Sequence, residues 1–522
     1  MEDLIEQLTR SDLPEDDRVI LEAEVLSEDV APIALIEDEL ATAGLSQFEI
    51  EQIFEDETNF FEISFQNLTT IATESLVFEL ARRLNRSSSR VRYGAVLRDS
   101  FYGSVPLAET ASGFFSCSAD ERDHGSTWAL NRVNAPAAWA KSLTGNDVSI
   151  AVIDTGWSKH PEVFEPSVYD LSRQKNLIER GQPAEDQFSN GNPGHGTLVA
   201  SVVASRGGIT ASHDATTAPG SVTGIAPQAQ LVPIRTIKSV INIRMSRVAK
   251  AIDAAIAADC DVIVMALGGP TPVRSVRRAL KRAVEAGLVV CCAAGNCWPP
   301  VVYPASYAKR GLCVAVGAVG PQDRVWPYSS QGGGVTLAAP GWNVWGARMD
   351  GPDPDQDASN KPSQGTTLAV SITSGAAALW LEHHGGPEAV RQAAQTAGAT
   401  VQSLFMNAVT EGLERPKTWP THARLGKGVL DISKLLAASL KPHIGFDDGE
   451  GEGLLSAASL ATLSMDDNDL YRDEAIWRSF QRAARVRAAA SKAAGVPGAE
   501  DIPPMPEPSP SYATISAETD LP

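Results

Sequence analysis

Between residues 18 and 98 the period of the apolar positions switches in a definite order. Residues 19–25 read as a strand, and 31–43 carry apolar side chains at helical spacing. Two strand-like runs follow, 47–54 and 59–65, parted by the polar turn Glu55-Asp56-Glu57-Thr58. Residues 73–84 return to a helical period through Phe78, Leu80, Ala81 and Leu84, and 91–97 form a last strand after the Ser87-Ser88-Ser89 break. This β-α-β-β-α-β succession predicts a small α+β domain of ferredoxin-like order, an arrangement that many unrelated modules share.

A different pattern runs from 148 to about 440. Short apolar runs at 148–153, 230–234, 261–266, 288–293 and 312–319 read as buried strands, and 244–258 and 275–286 read as helices. Such alternation predicts an α/β fold, a parallel sheet flanked by crossover helices. Residues 99–128 lack periodicity and read as a linker. Past Pro442 the pattern fails: 446–470 is acidic and rich in Gly and Ser, 472–494 predicts one helix, and 497–522 is Pro-rich and expected to be disordered. The chain therefore divides into an N-terminal domain (1–98), a linker (99–128), a body (129–440) and a tail (441–522), with no internal repeat.

A length of 522 residues exceeds what one hydrophobic core normally serves, in agreement with this division. The apolar share of 43% excludes a wholly disordered chain. No apolar run reaches the ~18 residues that a bilayer span requires, so no membrane role is expected. Met1-Glu2-Asp3-Leu4-Ile5-Glu6 is acidic where an export signal is basic, which points to the cytoplasm. The net charge is −20, but residues 1–60 hold 19 acids against Arg10 and Arg18, while 446–522 hold 14 acids against 6 bases. The region between them is mildly basic. Acidic ends keep a protein soluble; alternatively, the N-terminal segment docks on the basic body. Overall acidity argues against nucleic acid as a partner. The cysteines at 117, 260, 291, 292, 297 and 313 show no zinc-type spacing and are expected to be reduced thiols.

Three segments of the body carry chemistry. Ile150-Ala151-Val152-Ile153-Asp154-Thr155-Gly156 is an apolar strand ending in an acid, at the carboxyl end where functional side chains collect. An Asp there either caps a turn or holds a histidine in one tautomer. Gly194-His195-Gly196-Thr197 sets a histidine between glycines at the start of a small-residue helix, where the ring either packs or stays open to substrate. Gly365-Thr366-Thr367-Leu368-Ala369 opens another helix with hydroxyl residues, which serve as ordinary caps or sit where the helix dipole favours an oxyanion. Between these, Ala293-Ala294-Gly295-Asn296 ends a strand with a side-chain amide, and such a donor aimed at an oxyanion is worth roughly 2.7–4 kcal/mol.

Asp, His, amide and hydroxyl in this chain order, each on its own element, resemble the subtilisin-like protease family over about residues 126–438. Ala129-Leu130-Asn131-Arg132-Val133-Asn134-Ala135-Pro136 looks like the start of a mature domain, and Gly224-Ile225-Ala226-Pro227 looks like a turn typical of the family. Met265-Ala266-Leu267-Gly268-Gly269 is similar to the strand that pairs with substrate backbone, and Tyr303-Pro304-Ala305 follows Asn296 at the usual kind of distance. The resemblance implies a subtilisin-like sheet and a serine endopeptidase acting on polypeptides. His195 would be general base and acid, Asp154 its orienting partner, and Asn296 with the amide of Thr367 the oxyanion hole. An extended peptide would lie beside Ala266, Leu267, Gly268 and Gly269, with Ala294 and Gly295 completing a pocket for an apolar side chain. The N-terminal domain then resembles a subtilase propeptide, an intramolecular chaperone and inhibitor cut off by the protease itself within 97–128. Family members often bind calcium, but no ligand cluster stands out, and neither cofactor nor metal is assigned.

One position departs from the family. Its nucleophile is serine, and here Thr367 stands in that register, fixed by Gly365 and Gly375. The added methyl stiffens χ1 and crowds the histidine or the acyl group, and a misplacement near 1 Å costs on the order of 100-fold in rate. Ser371 lies one helical turn deeper and Ser363 lies before the helix, so both read as structural. The family's Pro-His after the nucleophile is replaced by Ser371-Ile372, which touches no triad member. Threonine here is either a natural reduction of activity or a deliberate change that traps a precursor. Three functions follow: an intracellular endopeptidase made as a zymogen with activity reduced or abolished at Thr367; a pseudoprotease that binds peptide or a partner without cutting; or an enzyme whose N-terminal domain stays in place until an activating partner arrives. The acidic tail either recruits a partner or solubilises.

Overall fold

The computed structural model describes residues 1–14, 17–27, 31–69, 75–97, 124–164, 167–188, 192–207, 221–238, 240, 244–296, 300–442, 470, 473–479 and 482. Of the expected linker only 124–128 are described, with Trp128 opening the short helix Trp128–Arg132, and most of the expected tail lies outside these residues.

The N-terminal domain is a four-stranded antiparallel sheet with strands β1 (Arg18–Val25), β2 (Phe48–Gln52), β3 (Phe60–Thr69) and β4 (Val91–Val96), in the order β2-β3-β1-β4. Helices Pro32–Thr42 and Leu76–Ser87 supply the crossovers, giving the ferredoxin-like succession expected from the sequence. Alternation sorts the side chains of each strand. Val19, Leu21, Ala23 and Val25 of β1 and Phe61, Ile63 and Phe65 of β3 enter the domain's own core. The intervening Ile20, Glu22 and Glu62 point the other way and are nevertheless buried.

The second unit is built on a seven-stranded parallel sheet, β5 (Ser149–Asp154), β6 (Lys175–Asn176), β7 (Gln230–Arg235), β8 (Val262–Met265), β9 (Val289–Ala293), β10 (Val314–Val319) and β11 (Leu337–Pro340), ordered β11-β10-β9-β8-β5-β7-β6. Both faces are covered along the middle of the sheet, so β5, β8, β9, β10 and β11 read mainly as apolar runs. On β5, Ile150 and Val152 join a core with helices His195–Ala204 and Thr366–His383, while Ala151 and Ile153 join one with helices Met245–Ala257 and Arg274–Glu285. A two-stranded antiparallel ribbon, β12 (Trp342–Met349) and β13 (Ala358–Gln364), leads into the Thr366–His383 helix. Cys260, Cys291, Cys292 and Cys313 are buried free thiols. No described helix is long and apolar enough to cross a membrane.

The two units meet where the outer face of the small sheet lies on helices Met245–Ala257 and Arg274–Glu285. Glu22 accepts the backbone amides of Arg274 (2.8 Å) and Ser275 (2.9 Å) at the start of the second helix. Its register partner on β4 is Gly94, and a Cβ there would stand 2.6 Å from the Glu22 carboxylate. Glu62 pairs with Arg244 at 2.5 Å, Glu51 with Lys250 at 2.8 Å, and Glu57 with Arg278 and Arg282. Phe54 lies beneath the Arg282 guanidinium, 5.2 Å from ring centre to cation. The acidic domain thus faces a basic surface, the second of the two readings of its charge.

Candidate active site

Two elements bring the sequence-marked acid and histidine together. Asp154 ends β5, and His195 is the first residue of its helix. The helix start approaches the strand end so closely that a Cβ at 196 would run into the carbonyl oxygen of Gly156, which accounts for the glycine after the histidine. His195 Nδ1 donates to Asp154 Oδ1 at 2.8 Å, and the same oxygen accepts the Thr155 amide at 2.7 Å. The acceptor-only carboxylate therefore assigns the proton to Nδ1 and leaves Nε2 as the ring's acceptor. Thr367 Oγ1 stands 3.3 Å from that Nε2 and donates to it. All three side chains are buried: Asp154 is 1%, Thr367 5% and His195 6% exposed.

The backbone at Gly365 has φ +141°, which disfavours any side chain, and a Cβ there would lie 3.1 Å from Asn296 Nδ2 and 3.7 Å from the Thr367 amide nitrogen. The Asn296 amide nitrogen and the Thr367 backbone nitrogen thus both lie close to Gly365, where a side chain would stand. Thr366, which the sequence reading passed over, fixes the amide. Its backbone N–H and its hydroxyl both donate to Asn296 Oδ1, at 2.9 and 2.8 Å, and its hydroxyl accepts the Gly295 amide at 3.2 Å. Since a backbone N–H can only donate, the Asn296 atom facing it is the oxygen, and Nδ2 turns to the opposite side.

Asp186 was missed as well. Its carboxylate accepts from the Thr155 hydroxyl (2.6 Å) and from the amides of Gly194 (3.0 Å) and Phe188 (2.9 Å), while Thr155 Oγ1 accepts the Gly196 amide at 3.0 Å. This chain of bonds ties the end of β5 to the helix that carries the histidine. Burial is the main influence on Asp186 and pushes its carboxyl above the ordinary range, against the pull of these donors. A lone Asp in an irregular stretch gives no pattern by which to find it.

The residues expected to bind substrate follow β8. Ala266 and Leu267 are buried and Gly268 is half-buried. Gly269 donates its N–H to Tyr303 O at 2.8 Å and accepts the Tyr303 amide at 2.9 Å. Ala294 is buried and Gly295 half-buried at the end of β9. Val302 is a further wall: its side chain occupies the space that a Cβ at either Gly268 or Gly295 would need. Ser371, one turn below Thr367, donates to the Thr367 carbonyl at 2.8 Å and is fully buried, while Ser363 lies on β13. No group of three or more His, Cys, Asp or Glu is gathered as for a metal ion among the described residues.

A strand-end carboxylate, a helix-start histidine and a helix-start hydroxyl in one line of hydrogen bonds, with the Asn296 amide near the same helix start, define the arrangement of an acyl-transfer hydrolase on a parallel sheet. Residues 145–428 match the Subtilase family. The chain belongs to that family, whose members are subtilisin-like serine proteases acting on polypeptides. It is 31% identical over 253 residues to Subtilisin Savinase of Lederbergia lenta, covering 48% of this chain and 82% of that one. With the Major intracellular serine protease of Bacillus subtilis (strain 168) it shares 30% identity over 261 residues, covering 47% and 72%. Among solved structures, fervidolysin from Fervidobacterium pennivorans, a keratinolytic enzyme related to subtilisin, superposes with a TM-score of 0.58 at 17% identity, over 84% of this chain and 64% of that one. That likeness bears on the fold alone. The family match begins at 145, so the N-terminal domain lies outside it.

Proposed function

We propose that this chain is an intracellular subtilisin-like endopeptidase made as a zymogen, in which Thr367 occupies the nucleophile's place and holds activity low. The reading rests chiefly on the line of hydrogen bonds from Asp154 through His195 to Thr367. In the reaction, Thr367 Oγ1 attacks the scissile carbonyl carbon as its proton passes to His195 Nε2. The imidazolium so formed is stabilised by Asp154 and later protonates the leaving amine. The tetrahedral oxyanion accepts from Asn296 Nδ2 and the Thr367 amide, and loss of one such donor costs roughly 2.7–4 kcal/mol of transition-state stabilisation. Water then repeats the sequence on the acyl-enzyme. Threonine's methyl must share this buried space with the acyl group, and its hydroxyl sits at the long end of hydrogen-bond reach, 3.3 Å.

A substrate strand would pair beside Ala266–Gly268, since the Gly269 amide is already given to Tyr303. Val302 narrows the pocket between Gly268 and Gly295, which favours a small apolar side chain before the cut bond. The N-terminal domain would act as inhibitor and folding partner, processed within 97–128; its carboxylates on the two helices support this role. An intracellular setting is supported by 30% identity to a protease named for that location. The test is labelling with an active-site fluorophosphonate. Thr367→Ser should label and cleave peptides, with Thr367→Ala inert and the threonine form at least ~100-fold slower than serine. A serine form that binds peptide but neither labels nor cuts would instead support a pseudoprotease.

A further inference from the structure

Past residue 442 the described residues are few, and they do not form a separate tail. Leu470 and residues 473–479 are helical. Leu470, Glu474 and Trp477 recur at i, i+4 and i+7, so one helical face presents them together. Leu470 and Trp477, 3% and 0% exposed, belong to the hydrophobic core of the N-terminal domain. Trp477 meets Phe78 with ring centres 6.0 Å apart. Arg82 donates to Glu474 Oε2 at 2.7 Å and to the Leu470 carbonyl at 3.3 Å.

These contacts account for an oddity of the Leu76–Ser87 helix, which is buried nearly all round. Val77, Leu80, Ala81 and Leu84 form one stripe at helical spacing, as an amphipathic helix on a sheet requires. Phe78 and Arg82 lie on the other side, and there the C-terminal segment covers them. A guanidinium 3% exposed needs close anionic partners. Glu79 lies 3.6 Å from it, whereas Glu474, itself fully buried, supplies the short contact from almost four hundred residues away.

We propose that Leu470 and residues 473–479 form a clasp: it completes the core of the N-terminal domain and keeps that domain on the catalytic unit after the chain between them is cut. The N-terminal domain is reached by covalent chain from residue 97 onward and by the clasp from residue 442 onward. Cutting the first connection leaves the second, and a tethered contact of this kind works at an effective concentration near the millimolar range. Release would then need the clasp withdrawn or a second cut between 443 and 469. The inference rests on the reading of the N-terminal domain as a processed inhibitor, but its test does not.

The full chain, with Thr367 retained and a recognition site for an unrelated sequence-specific protease placed near residue 110, is cut by that protease and diluted to nanomolar concentration. Departure of the N-terminal fragment is followed by size exclusion and native mass. With the clasp intact the fragment should stay. Trp477→Ala should speed its departure roughly 100-fold, truncation after residue 442 should do at least as much, and a synthetic peptide of residues 468–484 should restore retention to the truncated chain. Equal departure rates for the intact and Trp477→Ala chains would overturn the clasp, as would a truncated chain that retains the fragment without the peptide. If truncation prevents folding, hydrogen exchange in the intact cut chain decides. A clasp requires residues 78–84 and 474–478 to be protected together, and unprotected 474–478 refutes it. In the Thr367→Ser form, fragment loss without a gain in activity would leave the clasp standing and remove the inhibitory role.

Discussion

Replacing Glu22 by alanine probes the docking of the two units at its most buried contact. The substitution takes away the acceptor of two backbone amides, Arg274 at 2.8 Å and Ser275 at 2.9 Å, both on residues with little exposure. A buried donor left without its acceptor costs about 1–3 kcal/mol, and losing a negative charge at a helix start adds about 0.3–1 kcal/mol. Opposing this is the cost of burying the carboxylate, visible in a Glu22 pKa raised above the usual range by desolvation, against the pull of Arg274 and the two amides. A net loss of about 2–4 kcal/mol follows, equivalent to a roughly 30- to 1000-fold shift in the docking equilibrium. Amide hydrogen exchange on the intact chain reads this directly. Exchange at 274–276 and along the outer face of β1 should accelerate by that factor, with Glu22→Gln in between because it keeps one acceptor oxygen. Unchanged exchange there in a folded Glu22→Ala chain would refute the account of the interface.

Three further outcomes are expected. In the Thr367→Ser background, Val302→Gly should raise kcat/KM for substrates with a large side chain before the cut bond by roughly 10-fold or more relative to alanine; an unchanged profile over a peptide series would show that Val302 does not bound the pocket. Thr366→Val in the same background removes the hydroxyl that donates to Asn296 but keeps the backbone N–H, so kcat should fall about 10-fold at constant KM, short of the ~100- to 1000-fold cost of deleting an oxyanion donor. Docking of the N-terminal domain should also weaken in acid. Burial pushes Glu51, Glu57 and Glu62 upward, but Lys250 and Arg180, Arg278 and Arg282, and Arg244 and Lys250 outweigh it and hold all three below the ordinary value of 4.5. Asp56 is lowered by Arg282. Groups with lowered pKa stabilise the docked state above their ordinary values and lose that contribution as pH falls through the depressed ones; Glu22, raised, acts in the opposite sense. Four groups against one predict looser docking at pH 3 than at pH 7, and hydrogen exchange showing tighter docking in acid would contradict it.

Both folds were legible where burial imposes a period. Five of the seven strands of the parallel sheet are covered on both faces and so read as apolar runs, and β1 and β3 showed through their inward positions. β11, Leu337–Pro340, is as buried as its neighbours but only four residues long and was not expected; the other elements that escaped had no such period. Strand β13, Ala-Ser-Asn-Lys-Pro-Ser-Gln, belongs to a ribbon outside the main sheet, β6 has two residues, and helix Glu2–Leu8 is too short to repeat its pattern. Asp154, His195, Asn296 and Thr367 could be picked out because their joint order along the chain resembles the subtilase pattern; each by itself fits an ordinary strand end or helix cap. Thr366 and Asp186 act through hydrogen bonds to other residues, and nothing in a linear sequence marks such bonds. Charge asymmetry did point to docking of the acidic domain on the body. The same reasoning left the tail open between recruiting a partner and solubilising, because the complement of Glu474 and Trp477 lies in Arg82 and Phe78, almost four hundred positions earlier.

The central claim is that Asp154, His195 and Asn296 stand ready for proteolysis and that position 367 decides whether it occurs. Intact mass of the purified full chain, compared among Thr367, Thr367→Ser and Thr367→Ala, tests it most directly. The account predicts that the serine form separates an N-terminal piece of roughly 100–130 residues, the size of a small domain with its connection, while the alanine form stays whole and the threonine form stays whole or is cut far more slowly. Full-length mass in all three, with no fluorophosphonate adduct on the serine form, would contradict it.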